Sequence, residues 1–270
     1  MKKFLLPVSL LIGFLASGVA APTELTWYGH AAFKITTPAG KIILIDPWLT
    51  NPLNKNGKED IAKLGKVDLI LVTHGHFDHI GDAVEIGKRT QAKLVSTFDL
   101  GNAIVQTLGY PKELATMETQ GNFGGELTLL NGEVKVAFVP AVHSSAVAKD
   151  ESSESHFGGN PGGFLVTIRG GPTIYHTGDT DLFSDMALVP RSHKVDVMLA
   201  CIGDHFTMGP SRAAAAVKLV NPAMVVPMHF GTFPALDGTP DALRSSLEAQ
   251  GSKAKLQVMS VGQTIPLPGS

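Results

Sequence analysis

Residues Thr73 to His79 read Thr-His-Gly-His-Phe-Asp-His, which puts three imidazoles and a carboxylate into one short stretch. They follow Val67-Asp68-Leu69-Ile70-Leu71-Val72, whose length and β-branched apolar content predict a buried strand. Nitrogen and oxygen donors gathered at a strand end suit a divalent metal ion. Such an ion can bring the pKa of a bound water from about 15.7 towards 7 and so supply hydroxide at neutral pH. Gly75 lets the backbone turn tightly so that His74 and His76 converge. Asp78 and His79 lie further along and point elsewhere, which suggests two ions rather than one. The competing reading is a polar loop whose histidines cap the following helix.

More donors recur after apolar runs. Val134 to Val139 is followed by His143, Thr173 to His176 by Thr177-Gly178-Asp179, and Met224 to Pro227 by Met228-His229. Each alone reads equally well as a cap or turn residue. Together with the first loop they describe a site assembled from several strand ends.

The elements that must position these residues follow from periodicity and punctuation. Short strands are predicted at Leu25 to Tyr28, Ala32 to Thr36, Lys41 to Ile45 and Val67 to Thr73. A helix over Ile80 to Arg89, a strand at Lys93 to Ser96 and a helix over Asp99 to Leu108, ended by Gly109, come next. The second half repeats this grammar, with strands at Leu127 to Leu130, Val134 to Val139, Gly163 to Ile168, Thr173 to His176 and Val195 to Ile202. A helix over Ser211 to Val220, with Pro210 at its first turn, precedes a strand at Ala223 to Pro227 and a helix over Thr239 to Gln250. Leu256 to Met259 is predicted as the last strand. Two halves of mixed strands and βα units imply two sheets packed face to face with helices outside. The long segments Thr50 to Asp60 and Ser144 to Gly163 are predicted as loops, either a substrate rim or mobile connections.

With 270 residues and 44% hydrophobic content, the chain can bury a large core. Lys2-Lys3, the apolar run Phe4 to Leu15 and the small residues to Ala21 form a signal-peptide pattern. Residues 1–21 are therefore expected to be a leader and residues 22–270 the mature domain, exported to the periplasm or secreted and without stable membrane insertion after cleavage. Loss of Lys2 and Lys3 leaves 20 basic against 24 acidic residues, with no basic patch, which disfavours nucleic acid as a partner and leaves a small-molecule substrate. Cys201, the lone cysteine, lies in a strand-like apolar run and reads as a buried, inert thiol.

The pattern His74, His76, Asp78, His79, with Ala141-Val142-His143, Gly178-Asp179-Thr180 and Pro227-Met228-His229-Phe230-Gly231-Thr232-Phe233, resembles the metallo-β-lactamase superfamily. Tyr28-Gly29-His30-Ala31-Ala32-Phe33, Leu44-Ile45-Asp46-Pro47-Trp48 and Gly203-Asp204-His205-Phe206-Thr207-Met208-Gly209-Pro210 are similar to one branch of it. That branch holds uncharacterised metal-dependent hydrolases related to ascorbate-6-phosphate lactonases and, more distantly, N-acyl-phosphatidylethanolamine phospholipases D. The resemblance implies an α/β fold, a four-layer αββα sandwich with metals at one edge of the sheets. Carried over residue by residue, it implies that His74, His76 and His143 bind one divalent ion, Asp78, His79 and His229 a second, and that Asp179 bridges. Zinc is the expected metal, and the all-nitrogen-and-oxygen donor set also accepts manganese or iron.

A hydroxide bridging the two ions would then cleave an ester, lactone or phosphodiester of a small substrate, with Asp78 as the catalytic proton shuttle. His205 is a candidate substrate contact, and His30 and His176 are read either as orienting groups or as partners of backbone carbonyls. The alternatives are a β-lactam hydrolase, an iron-dependent oxidoreductase on the same scaffold, and a metal-binding module without turnover.

Overall fold

The structure is a computed structural model that describes residues 21–149 and 152–269. In the first half β1 (Glu24–Trp27), β2 (Phe33–Thr36), β3 (Ile42–Ile45), helix α1 (Gly57–Lys63), β4 (Leu69–Leu71), α2 (Phe77–Ile80), α3 (Ala83–Thr90), β5 (Lys93–Thr97) and α4 (Phe98–Leu108) follow one another. β6 (Gln120–Gly121), β7 (Glu126–Leu129), β8 (Val134–Pro140), the small hairpin β9 (Ala146–Val147) and β10 (His156–Phe157), β11 (Gly162–Ile168) and β12 (Thr173–His176) come next. The chain ends with α5 (Val189–Ser192), β13 (Val197–Cys201), α6 (Pro210–Val220), β14 (Met224–Met228), α7 (Pro240–Ala249), β15 (Lys255–Leu256) and β16 (Thr264–Pro266).

Among the described residues two seven-stranded sheets result, ordered β16-β1-β2-β3-β4-β5-β6 and β15-β14-β13-β12-β11-β8-β7. Each is mixed in the same way. β1 to β3 pair antiparallel and β3 to β6 parallel, while β7, β8, β11 and β12 pair antiparallel and β12 to β15 parallel. The period-two pattern decides which face each side chain serves. Ile43, Ile45, Leu69, Leu71 and Val95 turn inward to one cluster shared with Val136, Phe138, Phe164 and Leu199 of the other sheet. Leu44, Ile70 and Leu94, one residue out of phase, pack outward with Ile86 and Ile104 of α3 and α4. Ala213, Val217 and Val220 of α6, with Leu243 and Leu247 of α7, cover the second sheet. The expected αββα sandwich is the observed fold.

The differences are local. Thr50 to Asp60 is not wholly loop, because its second half starts α1, and the small hairpin interrupts Ser144 to Gly163. The predicted last strand is only Lys255–Leu256, and β16 follows it to pair with β1. The predicted helix from Ile80 divides into α2 and α3 at Gly81, whose φ of 44° breaks the turn. The signal peptide and the periplasmic assignment are also corrected. Their residues 1–20 lie outside the described ones, and among the described residues no helix is long and apolar enough to cross a membrane. Neither feature has support, and neither is assigned.

Candidate metal centre

Parallel strands end together at one edge, and the donors follow those ends. Asp46 comes directly after β3, His74 after β4, Asp179 after β12 and His229 after β14, while His143 follows β8 from the antiparallel half of the second sheet. The loops there hold strained backbone. Among the described residues, non-glycine residues with positive φ include His30 (51°), Asp46 (45°), Asp204 (62°), His205 (50°) and His229 (57°). Such conformations persist only where the surroundings impose them. The His229 amide is fixed by donating to the His30 carbonyl at 3.0 Å, and Gly178, at φ 61°, allows the turn that delivers Asp179 past the Gly162 carbonyl.

The seven predicted donors converge. His74, His76 and His143 form one group whose ligand atoms lie within 4.8 Å of one another; Asp78, His79 and His229, with His30, form a second; His74, His79 and Asp179 form a third between them. His79 Nε2 is 3.3 Å from Asp179 Oδ1 and His229 Nε2 is 2.9 Å from Asp179 Oδ2. His143 Nε2 lies 3.7 Å from the same carboxylate, so Asp179 touches both groups.

Two observations test whether such a set suits a cation. First, His79 Nε2, Asp179 Oδ1 and both ring nitrogens of His229 are buried without a hydrogen bond, although the distances just given are short. The pairs are near but out of line, which is what donors aimed at a common point between them would show. A buried polar atom left so costs about 1–3 kcal/mol. Second, His74 Nε2 and His76 Nδ1 face each other at 3.0 Å. His74 Nδ1 donates to Thr73 Oγ1, because that hydroxyl gives its own proton to Asp46 Oδ2, so His74 Nε2 is presented as a lone pair. The donor set fits a divalent metal.

Electrostatics divide the donors into two kinds. Burial and the charge at His79 hold the His74 and His76 imidazoles below their ordinary values, and burial does the same to His143. These three are neutral at pH 7. Burial opposes charging of His229 and His79 too, but carboxylates win. Asp179 and Asp78 lift His229 to about 9, and Asp179, Asp46 and Asp78 lift His79 well above its usual range. Burial is likewise overcome at Asp78 and Asp179, whose carboxyls the neighbouring imidazoles hold far below the carboxylate range.

Residues outside the seven hold them in place. Asp46, fully buried, accepts from the Thr73 amide at 2.8 Å, from Thr73 Oγ1 at 2.7 Å and from His79 Nδ1 at 2.7 Å. His30 pairs through Nε2 with Asp78 Oδ2 at 3.0 Å and through Nδ1 with Thr232 Oγ1 at 2.8 Å. Burial and the charge at His229 push the His30 pKa down to about 4, so at neutral pH it donates from Nε2 and accepts from Thr232. His30 thus orients a donor, and His176 combines its two readings: Nε2 donates to the Ala31 carbonyl at 3.0 Å, and Nδ1 accepts from the Gly178 amide at 3.1 Å, bracing the turn that carries Asp179. Composition around these positions gave no hint of the Asp46 network. The signal lay in the Asp46-Pro47 turn directly after a strand. Cys201 is buried, and burial raises its thiol to about 11.

A cavity of about 410 Å³ opens over the donors, lined by His76, Asp78, His143, Asp179 and His229 below and by Phe77, Ser144, Phe206, Phe233 and Leu236 at the sides. His205 is not on that wall; it is exposed and stands edge-on to the Phe206 ring at 4.4 Å.

A family model described as a beta-lactamase superfamily domain matches residues 24–229, from β1 to the last predicted donor. A UPF0173 metal-dependent hydrolase of Thermodesulfovibrio yellowstonii is 58% identical over 268 residues, covering 99% of this chain and 100% of the relative. The chain belongs to the metal-dependent hydrolases of this superfamily. A second UPF0173 metal-dependent hydrolase, from Anaeromyxobacter dehalogenans, is 57% identical over 90% of this chain and 86% of its own length. Among solved structures, the metallo hydrolase Igni18 of Ignicoccus hospitalis aligns with a TM-score of 0.79 at 36% identity, over 93% of this chain and 100% of that one. An isothiocyanate hydrolase from Delia radicum gut bacteria, at 20% identity and a TM-score of 0.67 over 91% of this chain and 100% of its own, shares the fold.

Proposed function

We propose that this hydrolase is dinuclear. His74, His76 and His143 would hold one divalent ion and Asp78, His79 and His229 a second, with Asp179 shared, and the bond cleaved is an ester, lactone or phosphodiester of a small molecule. The observation that carries this reading is the position of Asp179, which stands within reach of both donor groups while one of its buried oxygens has no hydrogen bond. Zinc is the expected metal, since imidazole and carboxylate donors suit it.

When bound, the ions would acidify a water and polarise the substrate oxygen. The side chains do the rest. Asp78 lines the cavity and stays ionised, so it can accept a hydrogen bond from the attacking water and orient it. Its low basicity makes it a transient relay for the proton rather than a resting place. His30, donating to Asp78 Oδ2, fixes the carboxylate for that task. Ser144, at the rim and 3.4 Å from His76 Nε2, can donate to a substrate oxygen.

Metal analysis of the purified chain, coupled to a panel of lactones, esters and phosphodiesters, tests the reading. It expects two equivalents per chain and hydrolysis that falls and returns with chelation and reloading. One equivalent at full activity, or hydrolysis indifferent to chelation, would refute it.

A further inference from the structure

We propose that the cavity over the donors selects neutral carbonyl substrates bearing an aromatic or bulky apolar group, and disfavours anionic phosphoesters. This rests on the hydrolase reading above and narrows its substrate class. Three features of the wall carry it.

The wall is aromatic where the fold gains least from it. Phe77 is 62% exposed and Phe206 59% exposed, so neither side chain contributes much buried area to the core. Phe206 stands out through two successive residues in left-handed backbone, Asp204 and His205, and its amide is tied back to the Asp204 carbonyl. Strained backbone that presents an apolar ring to solvent points to something that covers the ring. Phe77 and Phe233 are both backed by Trp48. Trp48 lies against Phe233 with ring centroids 6.0 Å apart and 25° between planes, and meets Phe77 edge-on at 5.7 Å.

Among the described residues no Lys or Arg lines the wall, whereas Asp78 and Asp179 do, and the His229 imidazole there already stands 2.9 Å from Asp179. Arg212, near the start of α6, is already held by Asp181 through two contacts of 2.6 Å. A phosphodiester would bring a further negative charge that the ions alone would have to meet, with no Lys or Arg beside them to share it. An ester or lactone brings none. In the step itself, the water oxygen bonds to the acyl carbon and the acyl C–O bond breaks. One water proton ends on the released alcohol oxygen and the other on the new carboxyl group; in a lactone both products are one molecule.

The test uses the metal-loaded full chain with three substrates: 3,4-dihydrocoumarin, γ-butyrolactone and bis(4-nitrophenyl) phosphate. The expected result is a kcat/KM for dihydrocoumarin above either of the others; its phenolate leaving group alone favours it over γ-butyrolactone, so the pocket is read from how the variants change the ratio. Phe206→Ala should lower kcat/KM for dihydrocoumarin about tenfold more than for γ-butyrolactone, with Phe206→Leu between them; the side chain is exposed, so folding is not at stake. Binding of 2-tetralone, the non-hydrolysable carbocycle in which CH2 replaces the ring oxygen, is measured by calorimetry on the same variants. It should weaken in the same order, with or without chelator. If no substrate is cleaved but 2-tetralone binds in that order, the pocket assignment stands and the hydrolase reading fails. Preferred cleavage of the phosphodiester, or variants that affect both lactones equally and leave 2-tetralone binding unchanged, would overturn the inference while leaving hydrolysis intact.

Discussion

Asp46 touches no substrate and is expected to decide how well the site holds metal. Its two oxygens accept three hydrogen bonds, from the Thr73 amide, Thr73 Oγ1 and His79 Nδ1. The last keeps a proton on His79 Nδ1, so the proton that a metal displaces is the one on Nε2, whose lone pair is then presented beside Asp179. Asp46→Asn keeps shape and volume but replaces one acceptor by a donor. If the amide oxygen stays on the Thr73 amide, the NH2 faces His79 Nδ1 and drives the proton to Nε2, where it blocks a ligand position. If the amide flips, its NH2 meets the Thr73 N–H, donor against donor. Either way about one buried polar group loses its partner.

That loss is about 1–3 kcal/mol, which at roughly 1.4 kcal/mol per factor of ten becomes a roughly five- to 150-fold loss of metal affinity. Backbone strain does not add to it. Asp46 has φ 45°, and asparagine adopts that region readily. Metal affinity is read by competition with a calibrated chelator, and a urea titration of chelator-treated protein checks that the fold persists. Wild-type affinity in a folded Asp46→Asn chain would refute the argument, since the tautomer would then not depend on Asp46.

Asp179→Ala should lower bound metal and hydrolysis together, because both donor groups lose their common carboxylate; retention of both would remove the shared role. The pH dependence has a definite sign. His229 is raised from 6.5 to about 9, so in chelator-treated protein its charge stabilises the fold below about pH 6.5 and that contribution fades as pH rises through 9. Metal loading must expel this proton and the one on His79, so apparent affinity should climb by up to about a hundredfold per pH unit from neutrality towards pH 9, read by calorimetry in buffers of different ionisation heat. A flat profile would mean the two imidazoles are already neutral. Gly75→Ala would place a Cβ 2.8 Å from the Ala146 carbonyl and 2.9 Å from Val147 Cγ2, so β9 must move. A loss of about 1–3 kcal/mol in urea unfolding is expected, and an unchanged midpoint would show that β9 yields freely.

The fold was legible wherever apolar alternation and turn residues agreed. β3, β12 and α4 appear within a residue of their predicted bounds, because their patterns are complete in themselves. Elements whose stability comes from elsewhere were not. α1 has few apolar anchors, chiefly Ile61 and a Gly57 start, so the local signal stays that of a loop. β16 is three residues long and exists by pairing with β1 at the other end of the chain, which no window can see. The same limit governs His30. Its partners Asp78 and Thr232 lie 48 and 202 residues away, so nothing near residue 30 distinguishes an orienting imidazole from one that satisfies a carbonyl.

The donor loop itself was readable because backbone geometry changes inside it. His76 has φ −72° and ψ 150° and is the cap before α2, while His74 and Gly75 form a bend, so the tight turn at Gly75 brings His74 and His76 to one side. From Phe77 the chain is helical, and Asp78 and His79 are turned away from that side by the new period. One seven-residue motif thereby faces two donor groups. The electrostatic division follows from this break. At His74, His76 and His143 burial outweighs the pull of Asp179 and the imidazoles stay neutral, while His79 and His229 stand close to both Asp78 and Asp179 and take up protons. The neutral group can take a cation at once and the charged group only by exchanging protons for it, so the His74, His76 and His143 group should fill first as metal is titrated in at neutral pH.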